Sequence, residues 1–156
     1  MKITLLVVGK TTDTHIETLI QEYQKRLMHY LTFALQVIPE LKNTKALTSE
    51  QQKQAEGEMI LKAVTSSADL ILLDEHGKEF RSIEFADYVQ KRMSSGRDVV
   101  FVVGGPYGFS EAVYQRANGK ISLSKMTFSH QMVRLFFVEQ LYRAMTILKG
   151  EPYHHE

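Results

Sequence analysis

The sequence has no cysteine and only three prolines in 156 residues. Without cysteine the chain can form neither a disulfide nor a zinc–thiolate site, and thiol catalysis is excluded. It also lacks a long hydrophobic run. The N-terminal apolar segment Ile3–Val8 is far shorter than the roughly 20 residues that span a bilayer, and no small-residue cleavage site follows it. We therefore expect a buried strand there, no membrane association and a cytoplasmic location.

Charge of one sign is also lacking. The chain has 19 Lys and Arg against 18 Asp and Glu, a formal net charge of +1. Nothing in the overall charge indicates DNA binding, and contact with RNA would need a local basic patch. We find no internal repeat, low-complexity tract or linker, so residues 1–156 are expected to form one domain.

What the chain does contain is a regular alternation of strand-like and helix-like segments. The pattern predicts an α/β fold with a mainly parallel, five-stranded sheet. Capping boxes are expected at Thr14–Glu17 and Thr48–Gln51, where a hydroxyl can accept from the first turn of a helix. The predicted strands are Ile3–Val8, Phe33–Ile38, Leu70–Leu73, Val99–Val103 and Ile121–Ser124.

The last predicted helix runs from about Ser129 to Leu148, with Ser129 or Thr127 as its cap and Gly150 ending it in a left-handed conformation. At 100° per residue, large apolar side chains fall on two opposite sides. A helix that is apolar on two sides must be covered on both, and the second cover is expected to be another copy of this chain. Glu139 and Arg143 would then lie in a buried seam, unless they form only a routine i,i+4 pair.

In open parallel sheets, ligands bind beyond the carboxyl ends of the strands. Three such ends carry unusual residues here: Leu73-Asp74, Gly104-Gly105 and Ser122–Phe128. The glycines permit close approach of a ligand or serve a tight turn. They do not match the dinucleotide fingerprint, and Pro106 removes one N–H that a phosphate loop would use. The hydroxyl-rich bend Ser122–Phe128 suits either an amphipathic ligand or helix capping.

The six histidines do not predict a metal site. His154 and His155 are adjacent and would project in different directions. Ser129 and His130 are adjacent as well, and no acid is evident to orient the histidine, so a hydrolase triad is disfavoured.

Several segments together resemble one family, the ribosomal RNA large subunit methyltransferase H family of pseudouridine-N3 methyltransferases, in the SPOUT (knotted methyltransferase) superfamily. The resemblance spans essentially the whole chain. The segments that carry it are LLDEHGK (72–78), FVVGGPYG (101–108), ISLSKMTFSHQMVRLFFVEQLYRA (121–144) and GEPYHH (150–155), with KITLLVVGK and EYQKRL in support.

The resemblance implies a C-terminal trefoil knot, a homodimer and an S-adenosylmethionine site built by the knot loops. It also implies methylation of N3 of a pseudouridine in 23S ribosomal RNA, with the assembled ribosome as the substrate. The tail of one subunit would then help to build the site of the other. The cofactor residues carried over to this chain are Leu73, Gly104, Gly105, Leu123, Ser124, Lys125, Met126, Thr127 and Phe128.

Four residues are hypothesised to perform the chemistry, since the imide proton of the base must leave as the methyl group arrives. Arg143, held by Glu139, would stabilise the developing anion or grip the nucleotide. His154 would accept the proton, because imidazoles titrate near neutral pH, and Tyr153 would stack on or orient the base. The RNA would have to be recognised by the dimer surface. Candidate phosphate contacts, each also open to a structural reading, are Lys25, Arg26, Lys42, Lys45, Arg81, Arg116, Lys125 and Arg134.

Two alternatives remain open from the sequence. One is a ribosome-associated RNA-binding dimer that keeps the fold without turnover. The other is a small phosphate- or nucleotide-binding enzyme that uses the glycine loop.

Overall fold

A computed structural model describes residues 1–155 as an α/β fold whose five strands are all parallel, which confirms the predicted fold class. The strand order is β2-β1-β4-β3-β5. Strand pairing does not determine whether the chain threads through a loop, so the trefoil knot stays a prediction. The elements are β1 (Lys2–Val8), α1 (Thr14–Leu27), β2 (Thr32–Ile38), a 3-10 turn (Thr44–Ala46), α2 (Ser49–Ala63), β3 (Asp69–Glu79), α3 (Ser82–Ser94), β4 (Val99–Val103), α4 (Glu111–Arg116), β5 (Gly119–Ser122) and α5 (Met132–Leu148).

The element boundaries differ from the predicted ones mainly where polar residues continue an element. The side chain of Asp13 caps α1 by accepting from the N–H groups of His15 and Ile16, so the capping box predicted at Thr14 was wrong. A carboxylate competes well for this role because it also complements the positive end of the helix dipole. The capping box of Thr48 with Gln51 is confirmed.

Each sheet face buries its own hydrophobic core. Along β1, Leu5 and Val7 point to the face covered by α1, α3 and α5, whereas Leu6 points to the face covered by α2 and α4. Alternate side chains of a strand project to opposite faces, so a strand covered on both sides is apolar throughout. Among residues 1–155, no helix is long and apolar enough to cross a membrane.

Arg134 fastens α5 to the end of β1. Its side chain is 2% exposed and donates to the backbone carbonyls of Val8 and Gly9 at 2.9 Å and to Thr11 Oγ1 at 3.0 Å. Burial lowers the pKa of its guanidinium, and the Coulomb attraction of Glu40 opposes that shift. The suggestion that Arg134 contacts RNA phosphate was therefore wrong, because the buried guanidinium donates to acceptors of the protein itself.

A close crossing of β3 and β5 places the bend after β5 beside the end of β3. The two strands pair from Ile71 to Leu73, lose register, and pair again at Lys78 and Glu79. A Cβ atom on Gly77 would lie 2.6 Å from backbone atoms of Ile121. Only glycine allows this approach, since real Cβ contacts are not so short.

We expect Gly77→Ala to lower the free energy of unfolding by about 1–3 kcal/mol, as for other overpacked positions. Urea denaturation measures the effect. The matched control is Gly119→Ala at the start of β5, whose added Cβ would approach only side-chain atoms, at 3.3 Å or more. Equal stability of the two variants would contradict the close-approach argument.

Candidate functional site

A cavity of about 630 Å³ lies at the carboxyl ends of β4 and β5 and beside Leu73 and Asp74 of β3. Leu73 is in register with Val103, the last residue of β4, on one side and with Ile121 of β5 on the other, so the pocket begins where the pairing of β3 with β4 ends. The cavity volume falls in the range of small-molecule sites, roughly 300–1,000 Å³. The strand ends singled out from the sequence therefore do meet at one pocket.

The glycine loop after β4 forms one wall of this pocket. Gly108 has a φ of +83° and its N–H donates to the carbonyl of Gly105 at 3.1 Å, which closes a tight turn. Both Gly104 and Gly105 line the cavity. A Cβ on Gly104 would press on the ring of Phe109 at 3.1 Å. The loop therefore forms a tight turn and also exposes glycine backbone to the cavity.

The bend after β5 forms the opposite wall. Ser122 Oγ donates to the carbonyl of Ser124 at 2.8 Å, and Ser124 Oγ accepts from the N–H of Met126 at 3.0 Å. The ring of Phe128 stacks at a tilt on Phe136, with centroids 5.0 Å apart. Apolar side chains and short hydroxyls therefore alternate along the wall, which suits an amphipathic ligand.

The structure places the expected cofactor residues together with one exception. Leu73, Gly104, Gly105, Leu123, Ser124, Met126, Thr127 and Phe128 all line the cavity. Lys125 is outside the lining; its side chain is 86% exposed and its Nζ lies 3.9 Å from Glu79 Oε1.

A charged acid, Asp74 of β3, lies within the pocket, one residue beyond the pairing of β3 with β4. Asp74 accepts from the Tyr114 hydroxyl and, at 2.8 Å, from the N–H of His76. Burial alone would raise the pKa of Asp74, but these hydrogen bonds outweigh it and hold the pKa below its ordinary value. Burial and the hydrogen bond to Asp74 raise the pKa of Tyr114. Asp74 is thus an oriented carboxylate in the wall, which favours a ligand that carries positive charge.

Sequence reasoning missed several lining residues. Tyr114 comes from α4 and Lys53 from α2, and neither stands near a motif. His130 lies just before α5 and Val133 in its first turn, and both could have been expected once the bend before them was assigned to the pocket. Ser129 Oγ accepts from the N–H of Met132 at 3.1 Å, but the N-cap position of α5 belongs to Gln131, so the predicted caps Ser129 and Thr127 were wrong.

The four expected catalytic residues form a second cluster, farther along α5. Arg143 Nη2 donates to Glu139 Oε1 at 2.6 Å, and the Tyr153 hydroxyl donates to the same oxygen at 3.1 Å. Arg143 Nη1 lies 3.2 Å from His154 Nδ1. The guanidinium also lies over the Tyr153 ring, 4.7 Å from its centroid. Gly150, with φ +68°, turns the chain back so that the tail reaches α5.

The tail is held against α1 by tyrosine hydroxyls. Tyr23 OH and Tyr153 OH are 3.2 Å apart, and Tyr30 OH donates to Glu151 Oε2 at 2.5 Å. Burial and the contacts with Tyr23 and Glu139 raise the pKa of Tyr153. Tyr153 therefore stays a neutral phenol that donates to Glu139, and it is not a base at neutral pH.

Arg143 retains unused donor capacity. Its Nε is buried and has no hydrogen-bond partner among residues 1–155. A buried N–H without a partner is costly. A ligand group that reached this N–H would therefore gain a hydrogen bond that the protein itself does not make.

Within one chain, the pocket and the catalytic cluster are separate. No member of the cluster lines the cavity. Along α5, Val133 in the pocket and Arg143 in the cluster are ten residues apart, which is about 15 Å of helix. One chain by itself therefore holds the pocket and the catalytic cluster apart.

The residues expected to contact RNA phosphate fall into two groups: some bind other groups of the protein, and others are exposed. Arg116 donates to the backbone carbonyls of Thr65 and Ala68 at 3.0 and 2.8 Å, which is a structural role. Arg26 pairs with Glu22 on α1. Five further residues of the set are exposed: Lys25, Lys42, Lys45, Arg81 and Lys125. Over the part of the chain that the structure describes, no three His, Asp or Glu side chains are grouped to hold a metal ion.

Known proteins resemble this chain over its whole length. The family model described as "predicted SPOUT methyltransferase" matches residues 1–154. Proteins named ribosomal RNA large subunit methyltransferase H are 63% identical in Bacteroides thetaiotaomicron, 60% in Phocaeicola vulgatus and 57% in Flavobacterium johnsoniae, each covering 100% of both chains. The parallel sheet, the pocket at its carboxyl edge and these matches lead to one conclusion: the chain belongs to the SPOUT methyltransferase family.

Proposed function

We propose that this protein transfers a methyl group from S-adenosylmethionine to N3 of a pseudouridine in the 23S RNA of the large ribosomal subunit, on the assembled ribosome. The observation that carries the proposal is the 63% identity, over the full length of both chains, with a protein named ribosomal RNA large subunit methyltransferase H. The target base and the ribosomal context rest on the resemblance of the sequence to that family.

The pocket fits the methyl donor by its chemistry. Leu73, Leu123 and Phe128 supply apolar surface for a purine, and backbone groups of the glycine loop supply polar contacts. The charged Asp74 favours the cationic donor and disfavours a phosphate. When bound, S-adenosylmethionine supplies the electrophilic methyl group, so the protein has to orient the base and manage one proton and one negative charge.

Arg143 is suited to stabilise the charge on the base. Its guanidinium is aligned by Glu139 and Tyr153, with side-chain exposures of 25% for Arg143 and 18% for Glu139. Charge stabilisation is strongest where water is excluded and the donors are fixed beforehand. The unpartnered Nε–H provides a donor for the anion that forms when N3 loses its proton.

His154 is proposed as the proton acceptor, and the geometry specifies how. An arginine N–H can only donate, so Nδ1 of His154 accepts from Arg143 and a neutral ring carries its proton on Nε2. Acceptance of the N3 proton therefore requires either Nδ1 to leave Arg143 or the ring to change tautomer. Arg143 and His154 are thus expected to act as one unit.

A homodimer would bring the catalytic cluster of one chain to the pocket of the other. The outer side of α5 leaves Phe136 40% exposed, and the adjacent bend leaves Met126 77% exposed. A twofold axis through this surface makes an isologous interface, in which each chain gives its cluster to the other's pocket. A second copy is the proposed occupant because both halves of one site already exist on each chain.

The first prediction concerns the ligand. Titration calorimetry should show binding of S-adenosylmethionine and none of ATP, because carboxylates line the pocket. Incubation with unmodified ribosomes should then add one methyl group to 23S RNA, as detected by mass spectrometry. Binding of ATP alone would favour the nucleotide enzyme, and donor binding without methylation of ribosomes would favour the non-catalytic RNA-binding dimer.

The second prediction concerns the catalytic cluster. Arg143→Ala and His154→Asn should each reduce kcat by about 100-fold or more, because charge stabilisation and proton transfer are lost, while the Kd for S-adenosylmethionine stays within about twofold of wild type. His155→Asn is the matched control, since His155 is the exposed neighbour. Near-wild-type turnover in both test variants would refute the assigned roles.

The third prediction tests the shared site by subunit complementation. Arg143→Ala removes the guanidinium from the catalytic cluster, and Thr127→Trp fills the pocket from an exposed position. Each variant alone should be inactive. Equal mixing with subunit exchange should restore about a quarter of wild-type activity, because half of the dimers are hybrids with one intact site of two. If the site lay within one chain, mixing would restore nothing.

A further inference from the structure

The buried carboxyl of Glu56 on α2 has no role in the chemistry described above. Glu56 is 5% exposed, and its Oε1 has no hydrogen-bond partner among residues 1–155. Its Oε2 has only a long contact of 3.5 Å with Gln52 Nε2 on the same helix. Burying an acid with so little compensation is costly, and nothing in the packing of α2 requires it.

The carboxyl lies directly behind the glycine loop. A Cβ on Gly105 would be 2.3 Å from Glu56 Oε1 and 2.7 Å from Oε2, so the acid touches the bare backbone of Gly105. Gly105 lines the pocket, whereas Glu56 does not. The carboxyl of Glu56 therefore adjoins a residue of the pocket wall that has no side chain.

The surroundings of Glu56 hold its proton more tightly than water would. Burial raises the pKa of Glu56, and Glu40, which faces it from beyond β2, adds to the rise. The hydrogen bond from Gln52 and the nearby His130 act in the opposite direction, and the pKa stays above its ordinary value. A positive charge placed across Gly105 would favour ionisation of the acid.

We propose that Glu56 determines specificity for charge in the pocket, selecting the cationic methyl donor over its neutral product. This inference rests on the proposed function. S-adenosylmethionine carries a sulfonium, and S-adenosylhomocysteine, which remains after methyl transfer, carries an uncharged thioether. The two differ by one positive charge at one sulfur. The Glu56 carboxylate attracts the first through Gly105 and loses that attraction when the methyl group leaves, which promotes release of the product.

Calorimetry of both ligands tests the proposal. In wild type the ratio of the Kd of S-adenosylhomocysteine to that of S-adenosylmethionine should increase as the pH rises from about 5 to about 8, because ionisation of Glu56 strengthens binding of the cation only. Donor binding should release protons, measured in buffers of different ionisation enthalpy. Glu56→Gln should reduce the ratio at the upper pH by about tenfold and remove most of its rise between about pH 5 and about pH 8.

The matched control is Glu58→Gln, which removes the same charge from an exposed position of the same helix. It should leave both the ratio and the proton release as in wild type. A purely structural role for Glu56 would weaken both ligands equally and leave the ratio unchanged, and that outcome would overturn the proposal.

A second measurement uses the protein without ligand. A carboxyl whose pKa is raised in the folded state favours folding when it is neutral, and that advantage is lost as the pH rises through the raised value. The free energy of unfolding of Glu56→Gln should therefore rise relative to that of wild type as the pH increases from about 5 to about 8. A constant difference would contradict the buried-acid argument. If neither ligand bound wild type but this difference in stability appeared, the proposed function would be refuted, whereas the conclusion that Glu56 is a buried acid with a raised pKa would be retained.

Discussion

The close crossing of β3 and β5 is the steric constraint on which the pocket depends. Because Gly77 has no side chain, the backbone of β5 can lie against β3 after the break in their register. The bend that follows β5 then starts beside Leu73 and faces the loop that follows β4. A bulkier residue at this crossing would move the bend outward, and the pocket would lose one of its two walls.

The chain separates its charges by function. Two acids, Asp74 and Glu75, line the pocket together with Lys53, and Glu56 lies behind Gly105. The guanidinium of Arg143 lies in the other cluster, aligned by an acid and a phenol. Within one chain no member of the catalytic cluster lines the pocket, so Arg143 pairs with Glu139 and not with the carboxylates of the pocket.

The existence and order of the strands and the turn that ends α5 were the most predictable features of the sequence. Apolar runs located all five strands, and the glycine after α5 has the left-handed conformation that was expected. Other contacts could not be predicted, because they join segments far apart in sequence. Nothing in the composition of α2 indicates that Glu56 lies behind Gly105, and nothing local marks Arg134 as a ligand of β1 carbonyls. Periodicity gives the side of a helix on which a residue lies, but not what that side meets.

Helix α5 is anchored at two places, so the number of residues between the two anchors matters as much as which residues they are. Arg134 holds the early part of the helix to β1, whereas Glu139 and Arg143 engage the tail. Inserting one residue between positions 134 and 139 would rotate everything beyond it by about 100° and direct these polar groups away from Tyr153 and His154. A four-residue insertion would nearly restore the facing but move the cluster about 6 Å along the axis. Substitutions can be accommodated one contact at a time, but a change in length here would misalign one anchor with respect to the other.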